Sequence, residues 1–156
     1  MLILAQNNQR RHPAPLRPIK AAAAKILSAL GCPDDTELSI TIVGDKVIHR
    51  LNRDYLGKDR PTNVISFSLQ EGEFGSIASH SLGDVVISAD TAAQEAEAGG
   101  WTGYERLIFL LLHGILHLTG YDHERSGEAE ARRMERKEQE IWKMLKNEGL
   151  AILPTH

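Results

Sequence analysis

Residues 104–119, YERLIFLLLHGILHLT, are apolar nearly all round a helical projection. A helix with no polar stripe has to be covered on every side, so the rest of such a chain is committed to enclosing it. Its uninterrupted apolar run, 107–112, ends at His113 and is far shorter than the roughly 20 residues that cross a bilayer. The segment is therefore expected as a buried central helix and not as a membrane span. A length of 156 residues suits about one domain, enough to bury roughly 68–70% of the unfolded surface. With 42% hydrophobic and 25% charged residues, the composition excludes disordered and fibrous classes.

Around that helix the pattern alternates between helical and extended periods. Leu16, Ile19, Ala23, Ile26, Leu27 and Leu30 recur at helical spacing, with Gly31 placed to end the helix. Residues 37–43, ELSITIV, alternate Leu38, Ile40 and Ile42 with Ser39 and Thr41, the period of a half-buried strand. Asp45 is expected to cap a second helix carrying Val47, Ile48, Leu51 and Tyr55 on one face. A turn-rich stretch, 57–61, leads to a β-branched run over 63–69. Residues 70–82 read as a loop, and Gly83-Asp84 as the opening of a strand that runs to Ser88. Thr91 to Gln94 has the form of a capping box for a short alanine-rich helix ended by Gly99-Gly100. The last helix, 127–147, turns Ala131, Met134, Ile141 and Leu145 inward, a stripe interrupted by Glu138. Trp101 and Trp142 read as packing residues, while His12, His80 and His156 receive no role. A single α+β domain over 1–156 accounts for these elements.

A net charge of -3 argues against a nucleic-acid partner until the chain is divided. Residues 1–70 hold ten Lys/Arg against six Asp/Glu, and residues 71–156 hold eight against fifteen. The first half can present a basic face, although solvated helix surfaces produce the same segregation. At 5% aromatic residues there are few rings for stacking bases, so any RNA must be held through its backbone and shape. Neither a secretory nor a twin-Arg signal is expected. Residues 2–5 are only a short apolar stretch, and Arg10-Arg11 precede His12-Pro13-Ala14-Pro15. The single cysteine, Cys32, suits a reducing compartment, and the expected address is cytoplasmic.

The chemistry concentrates in HGILHLTGYDH, residues 113–123. His113 and His117 are four apart on a helix, so their rings share a face and can bind one metal ion. His123 would lie about 9 Å beyond His117 on a continuing helix, too far for a zinc ion that needs nitrogens at about 2.0–2.1 Å. Gly120 can adopt the left-handed conformation that ends a helix and turns Tyr121, Asp122 and His123 back. The offsets match the zinc-protease pattern H-E-x-x-H-x-x-G-x-x-H, except that its glutamate is Gly114 here. Metal geometry is kept and the protease's general base is missing. Three neutral nitrogens favour Zn²⁺ over Mg²⁺ or Ca²⁺, with nickel, cobalt and iron also fitting. Asp122 and Glu124 are further oxygen donors that would close the site or make a two-His-one-carboxylate centre. Three histidines with an open fourth position make the catalytic arrangement, in which metal-bound water is the nucleophile.

That segment resembles the signature of the YbeY family, bacterial metal-dependent endoribonucleases and rRNA maturation factors. LNRDYLGKDRPTNVISF, residues 51–67, is similar to the family's LNxxYRxxDxPTDVLSFP block, and GDVVIS, residues 83–88, to its GDIVIS strand. The likeness runs from about 37 to 147. It implies an α+β fold with a small, mostly parallel mixed sheet flanked by helices, the central one carrying the histidines. It also implies one zinc per chain on His113, His117 and His123. The implied activity is single-strand-type RNA cleavage in small-subunit rRNA 3′ maturation and ribosome quality control. The implied partners are rRNA and the small ribosomal subunit, with ribosomal proteins or an assembly GTPase, and no membrane. Two positions depart from the pattern. Leu56 stands where the family has an arginine that holds RNA or transition-state charge, and Ser68 replaces a proline.

Further residues complete the expected site. His49, Arg50, Arg53, Lys58 and Arg60 form a basic cluster in which Arg53, Lys58 and Arg60 are candidate RNA contacts. Arg50 and Arg53 serve equally well as a solvated face paired with Asp54. Thr62, Asn63 and Ser66 are candidates for supporting a strand edge near the metal, and Asp84 for orienting a histidine. The general base is unassigned, with Tyr121 and Asp122 the candidates for moving a proton. Two other functions compete: a ribosome-assembly factor with a mainly structural metal, for which Leu56 speaks, and a metalloprotease, against which Gly114 speaks.

Overall fold

The computed structural model describes residues 1–69, 81–121 and 127–154. Four strands, β1 (Leu2–Asn7), β2 (Glu37–Val43), β3 (Val64–Ser68) and β4 (Ser81–Ser88), form one sheet in the order β1-β2-β4-β3. β1 with β2 and β2 with β4 are parallel pairs, while β3 joins β4 antiparallel, so the sheet is mixed and mostly parallel. The helices are α1 (Leu16–Ala29), α2 (Asp45–Leu56), α3 (Ala89–Gly99), α4 (Gly103–Leu118) and α5 (Gly127–Asn147). Parallel neighbours need a crossover between them, and α1 provides it from β1 to β2.

Strand alternation gives the sheet two unequal faces. Ile3, Leu38, Ile40, Ile42, Val85 and Ile87 point to one side and build the main core with residues of α1, α4 and α5. Val43, Ile65 and Val86 point to the other, where Ile48 and Leu51 of α2 cover them. α4 packs against β3, β4, α1, α3 and α5, and its Ile108, Leu111, Leu112, Ile115 and Leu116 are fully buried. The all-round apolar helix is the centre of the molecule, as its sequence requires.

Several element ends differ from expectation, each because a distant partner decides them. β1 has little sequence signature beyond residues 2–5; it forms because Leu2 to Asn7 pair residue for residue with Glu37 to Ile42. β4 begins at Ser81, before Gly83. Gly83 (φ 136°) marks a close approach of β3, where a Cβ would run into the Phe67 carbonyl. The cap of α3 is Ser88, whose hydroxyl accepts the Thr91 N–H at 3.1 Å, so Thr91 is inside the helix and not its cap. α4 starts on a capping box in which Thr102 and Glu105 satisfy each other's backbone N–H groups. At α1, Gly31 (φ 76°) closes a Schellman turn, with Cys32 N–H on Leu27 O and Gly31 N–H on Ser28 O, both at 3.0 Å.

The start of α2 corrects the reading of Asp45 as its cap. Asp45 lies in the first turn, and its carboxylate accepts the Ser88 and Thr91 hydroxyls, each at 2.6 Å. The Asp45 N–H is taken instead by Asp90 at 2.9 Å, so an aspartate of α3 caps α2. Asp90 also meets His12 Nε2 at 3.0 Å and Arg11 at 3.7 Å.

The Asp45 N–H, helped by the His12 hydrogen bond and the charges of Arg11 and His12, holds the Asp90 carboxyl below its ordinary 3.8 against the opposing effect of burial. A carboxyl depressed in the folded state stabilises above its unfolded pKa and loses that contribution as pH falls through the folded value. Asp90→Asn is therefore expected to lower stability at pH 7. The gap to wild type should shrink as pH falls below about 4, as read by urea unfolding across that range. A gap that stays constant with pH would contradict the assignment.

Candidate metal centre

α4 ends as the glycine requires. Gly120 has φ 101°, Tyr121 N–H reaches Leu116 O at 3.0 Å, and Gly120 N–H reaches His117 O at 3.3 Å. These bonds form a Schellman turn and redirect the chain one residue before Asp122. Asp122, His123 and Glu124 lie outside the described residues. Among the described residues no three His, Cys, Asp or Glu side chains gather to hold a metal.

The other two expected ligands do come together. His113 Nε2 and His117 Nε2 are 3.1 Å apart, with ring centroids at 4.7 Å and planes at 73°. Two nitrogens on one tetrahedral zinc at about 2.0–2.1 Å are separated by about 3.3 Å. The pair therefore fits one edge of such a coordination sphere. On its other side, His113 Nδ1 donates to Glu138 Oε2 at 2.7 Å. With Nδ1 carrying the proton, His113 Nε2 keeps its lone pair on the side that faces His117.

The helix carrying these rings is seated by its glycine. A Cβ on Gly114 would lie 2.7 Å from Val85 Cγ1, 3.2 Å from Ser66 Oγ and 3.3 Å from Val64 Cγ2. Position 114 thus faces the sheet at contact distance, and the glutamate of the zinc-protease pattern has no room there. Ser66 Oγ donates to Gly114 O at 3.0 Å and ties the helix to edge strand β3. Asn63 donates to Glu95 at 3.1 Å, and Glu95 also pairs with Arg106 at 2.9 Å. Asp84 does not orient either histidine. It shares the sheet face of Val86, on the α2 side, and the carboxylate on His113 is Glu138.

α5 runs antiparallel along α4 and the turn that follows it. Phe109 packs edge-on to Trp142 at 5.2 Å, His113 bonds Glu138, and Tyr121 lies under Arg133 with 4.2 Å from guanidinium to ring. Trp101 stacks on Trp142 at 5.4 Å, closing the aromatic end of this ladder. Tyr121, a candidate proton carrier, is half-buried and packed against the main core. Glu138 was legible only as a carboxylate breaking an apolar stripe. A buried charge there needs a partner, and that was the available signal.

The basic cluster sits elsewhere. Arg50 and Arg53 lie on α2, which covers the sheet face opposite α4, and Lys58 and Arg60 lie in the turn leading to β3. His49 pairs with Asp59 at 2.8 Å and Arg53 with Asp54 at 3.0 Å. Buried Asn52 pins the turn by donating to Arg60 O at 2.8 Å. Leu56 is exposed at the end of α2, beside Tyr55, whose ring meets Phe67 edge-on at 5.6 Å. No helix among the described residues is long and apolar enough to cross a membrane.

The fold and this site define an α+β domain with a mostly parallel sheet, whose central helix presents an i, i+4 histidine pair just before a glycine-made end. Comparison with known proteins narrows the class. The profile described as Endoribonuclease YbeY matches residues 4–146. Relatives of that name in Geobacter metallireducens and Geobacter sulfurreducens are 63% and 62% identical, each over 96% of this chain and 99% of theirs. Another in Syntrophotalea carbinolica is 48% identical over 96% of this chain and 99% of its own. The solution structure of TM1509 from Thermotoga maritima has the same fold, with a TM-score of 0.60 at 19% identity over 96% of this chain and 95% of that one. The chain belongs to the YbeY family.

The contact at position 114 sets a stability test. Alanine normally gains up to about 1 kcal/mol over glycine inside a helix, but overpacking a close contact costs about 1–3 kcal/mol. Gly114→Ala should be net destabilising in denaturant melts, and a stabilised variant would mean that the helix can move off Val85.

Proposed function

We propose that the chain is a zinc-dependent endoribonuclease that matures small-subunit rRNA at its 3′ end and takes part in ribosome quality control in the cytoplasm. The observation that carries this reading is the convergence of His113 and His117 Nε2 at 3.1 Å, in a member of the YbeY family. His113, His117 and His123 would hold the ion, one per chain. A zinc ion bound there supplies Lewis acidity toward a phosphodiester and makes water nucleophilic near neutral pH. The chain's own residues do the rest. The close packing of Gly114 on the sheet and the Ser66 hydrogen bond seat the helix that carries the two rings, and the Gly120 turn ends that helix directly after them. Arg53, Lys58 and Arg60 hold phosphates of a single-stranded segment, and Tyr121 or Asp122 moves the proton. The partners on this reading are rRNA and the small subunit, with ribosomal proteins or an assembly GTPase.

One observation favours a second reading, an assembly factor whose metal is mainly structural. Leu56, 52% exposed, brings no charge to the position where the family carries arginine.

Metal content and cleavage of a small-subunit rRNA precursor separate the two. His117→Ala is expected to lose the metal and, on the first reading, to lower cleavage by at least about 100-fold, the upper end of what even an outer-shell change costs. Metal loss with unchanged cleavage would sink the catalytic role of the metal, and intact folding and ribosome binding with no cleavage in either protein would favour the assembly role. Salt dependence tests the phosphate contacts. Replacing Arg53, Lys58 or Arg60 by alanine should each reduce the slope of log affinity against log salt for single-stranded RNA by about 0.7. An unchanged slope would remove that residue from the interface.

A further inference from the structure

We propose that Glu138 is a positioning residue for the metal-binding histidines, acting through the His113 tautomer; the inference rests on the metal reading above. Glu138 is 9% exposed and stands on the inward stripe of α5 between Met134 and Ile141, where an unpaired carboxylate would be costly. Its partner is the His113 Nδ1–H at 2.7 Å. A carboxylate only accepts, so this bond puts a proton on Nδ1, and in the neutral imidazole that a metal requires it leaves Nε2 as the lone pair. That lone pair lies on the side of the ring that faces His117 Nε2. The hydrogen bond also fixes the rotation of the imidazole, which a metal ligand needs for a directed bond.

The placement is enforced from outside the pair. Phe109 and Trp142 stand one helical turn from His113 and Glu138 on α4 and α5, and their contact locks the two helices in register. A slip by one residue on α5 would rotate Glu138, and on α4 His113, about 100° away from the other. The aromatic stack formed by Trp101, Trp142 and Phe109 thus helps to set the position of the carboxylate.

The test titrates metal-free protein with Zn²⁺ against a competing chromophoric chelator for wild type, Glu138→Ala, Glu138→Gln and His117→Ala. Nitrogen-15 spectra of the metal-free proteins read the His113 tautomer. Glu138→Ala should weaken zinc affinity by about 10–100-fold and erase the preference for Nδ1–H. Glu138→Gln keeps an oxygen that accepts from Nδ1 and should restore most of both. If alanine prevents folding, Glu138→Leu fills the volume without an acceptor and carries the same expectation. Unchanged affinity in Glu138→Ala, with His117→Ala losing zinc, would overturn the positioning role and leave the metal site standing. Equal losses in Glu138→Ala and Glu138→Gln would also overturn it, because acceptance from Nδ1 would then not be the operative property. Unchanged affinity in His117→Ala would overturn the metal reading itself.

Discussion

Burial of α4 is the constraint from which the rest of the structure follows. Ten of its 16 residues are buried, and each large apolar side chain so placed contributes about 1.5–3 kcal/mol relative to exposure. The sheet covers one side of it, α1, α3 and α5 the others. Gly114 sets how closely the helix lies on the sheet, since Val64, Ser66 and Val85 occupy the space a side chain would take. Once that face is committed to the sheet, helical geometry decides where residues 113 and 117 point. The histidine pair is thus oriented by packing at its back.

The same sheet separates the two chemistries the chain carries. The histidines belong to the face packed by α4, and Arg50 and Arg53 belong to the helix on the opposite face. Strand β3 is the boundary between them. It lies at the sheet edge, donates Ser66 to the histidine helix, and follows directly on the turn that holds Lys58 and Arg60. On the proposed reading, an RNA strand that meets both the metal and the basic residues passes around this edge. Contacts of that kind go to the phosphate backbone, in keeping with a protein that has few aromatic rings.

Local signals in the sequence suffice wherever the deciding forces are local. The strand at 37–43 and the helix at 127–147 came out at their observed bounds, because periodicity alone sets them. Gly31, Gly100 and Gly120 ended helices, since positive φ is nearly a glycine property. Where the structure departs from the local signal, a distant partner decides. Asp45 looked like the cap of α2, yet the cap is Asp90, 45 residues away. Asp84 looked like a histidine's partner, but strand alternation turns it to the far face. β1 carries little local signal because the strand that pairs with it lies beyond α1.

The amino-acid order by itself determined that α4 is buried, that His113 and His117 share one of its faces, and that the chain turns at Gly120. Each of these follows from the period of one helix and from the conformational freedom of one residue. The tertiary structure alone decided which carboxylate orients His113. Glu138 and His113 are 25 residues apart, and neither segment read alone gives the register of α5 on α4. That register comes from aromatic side chains contributed by three segments, and only their packing brings the carboxylate to the ring.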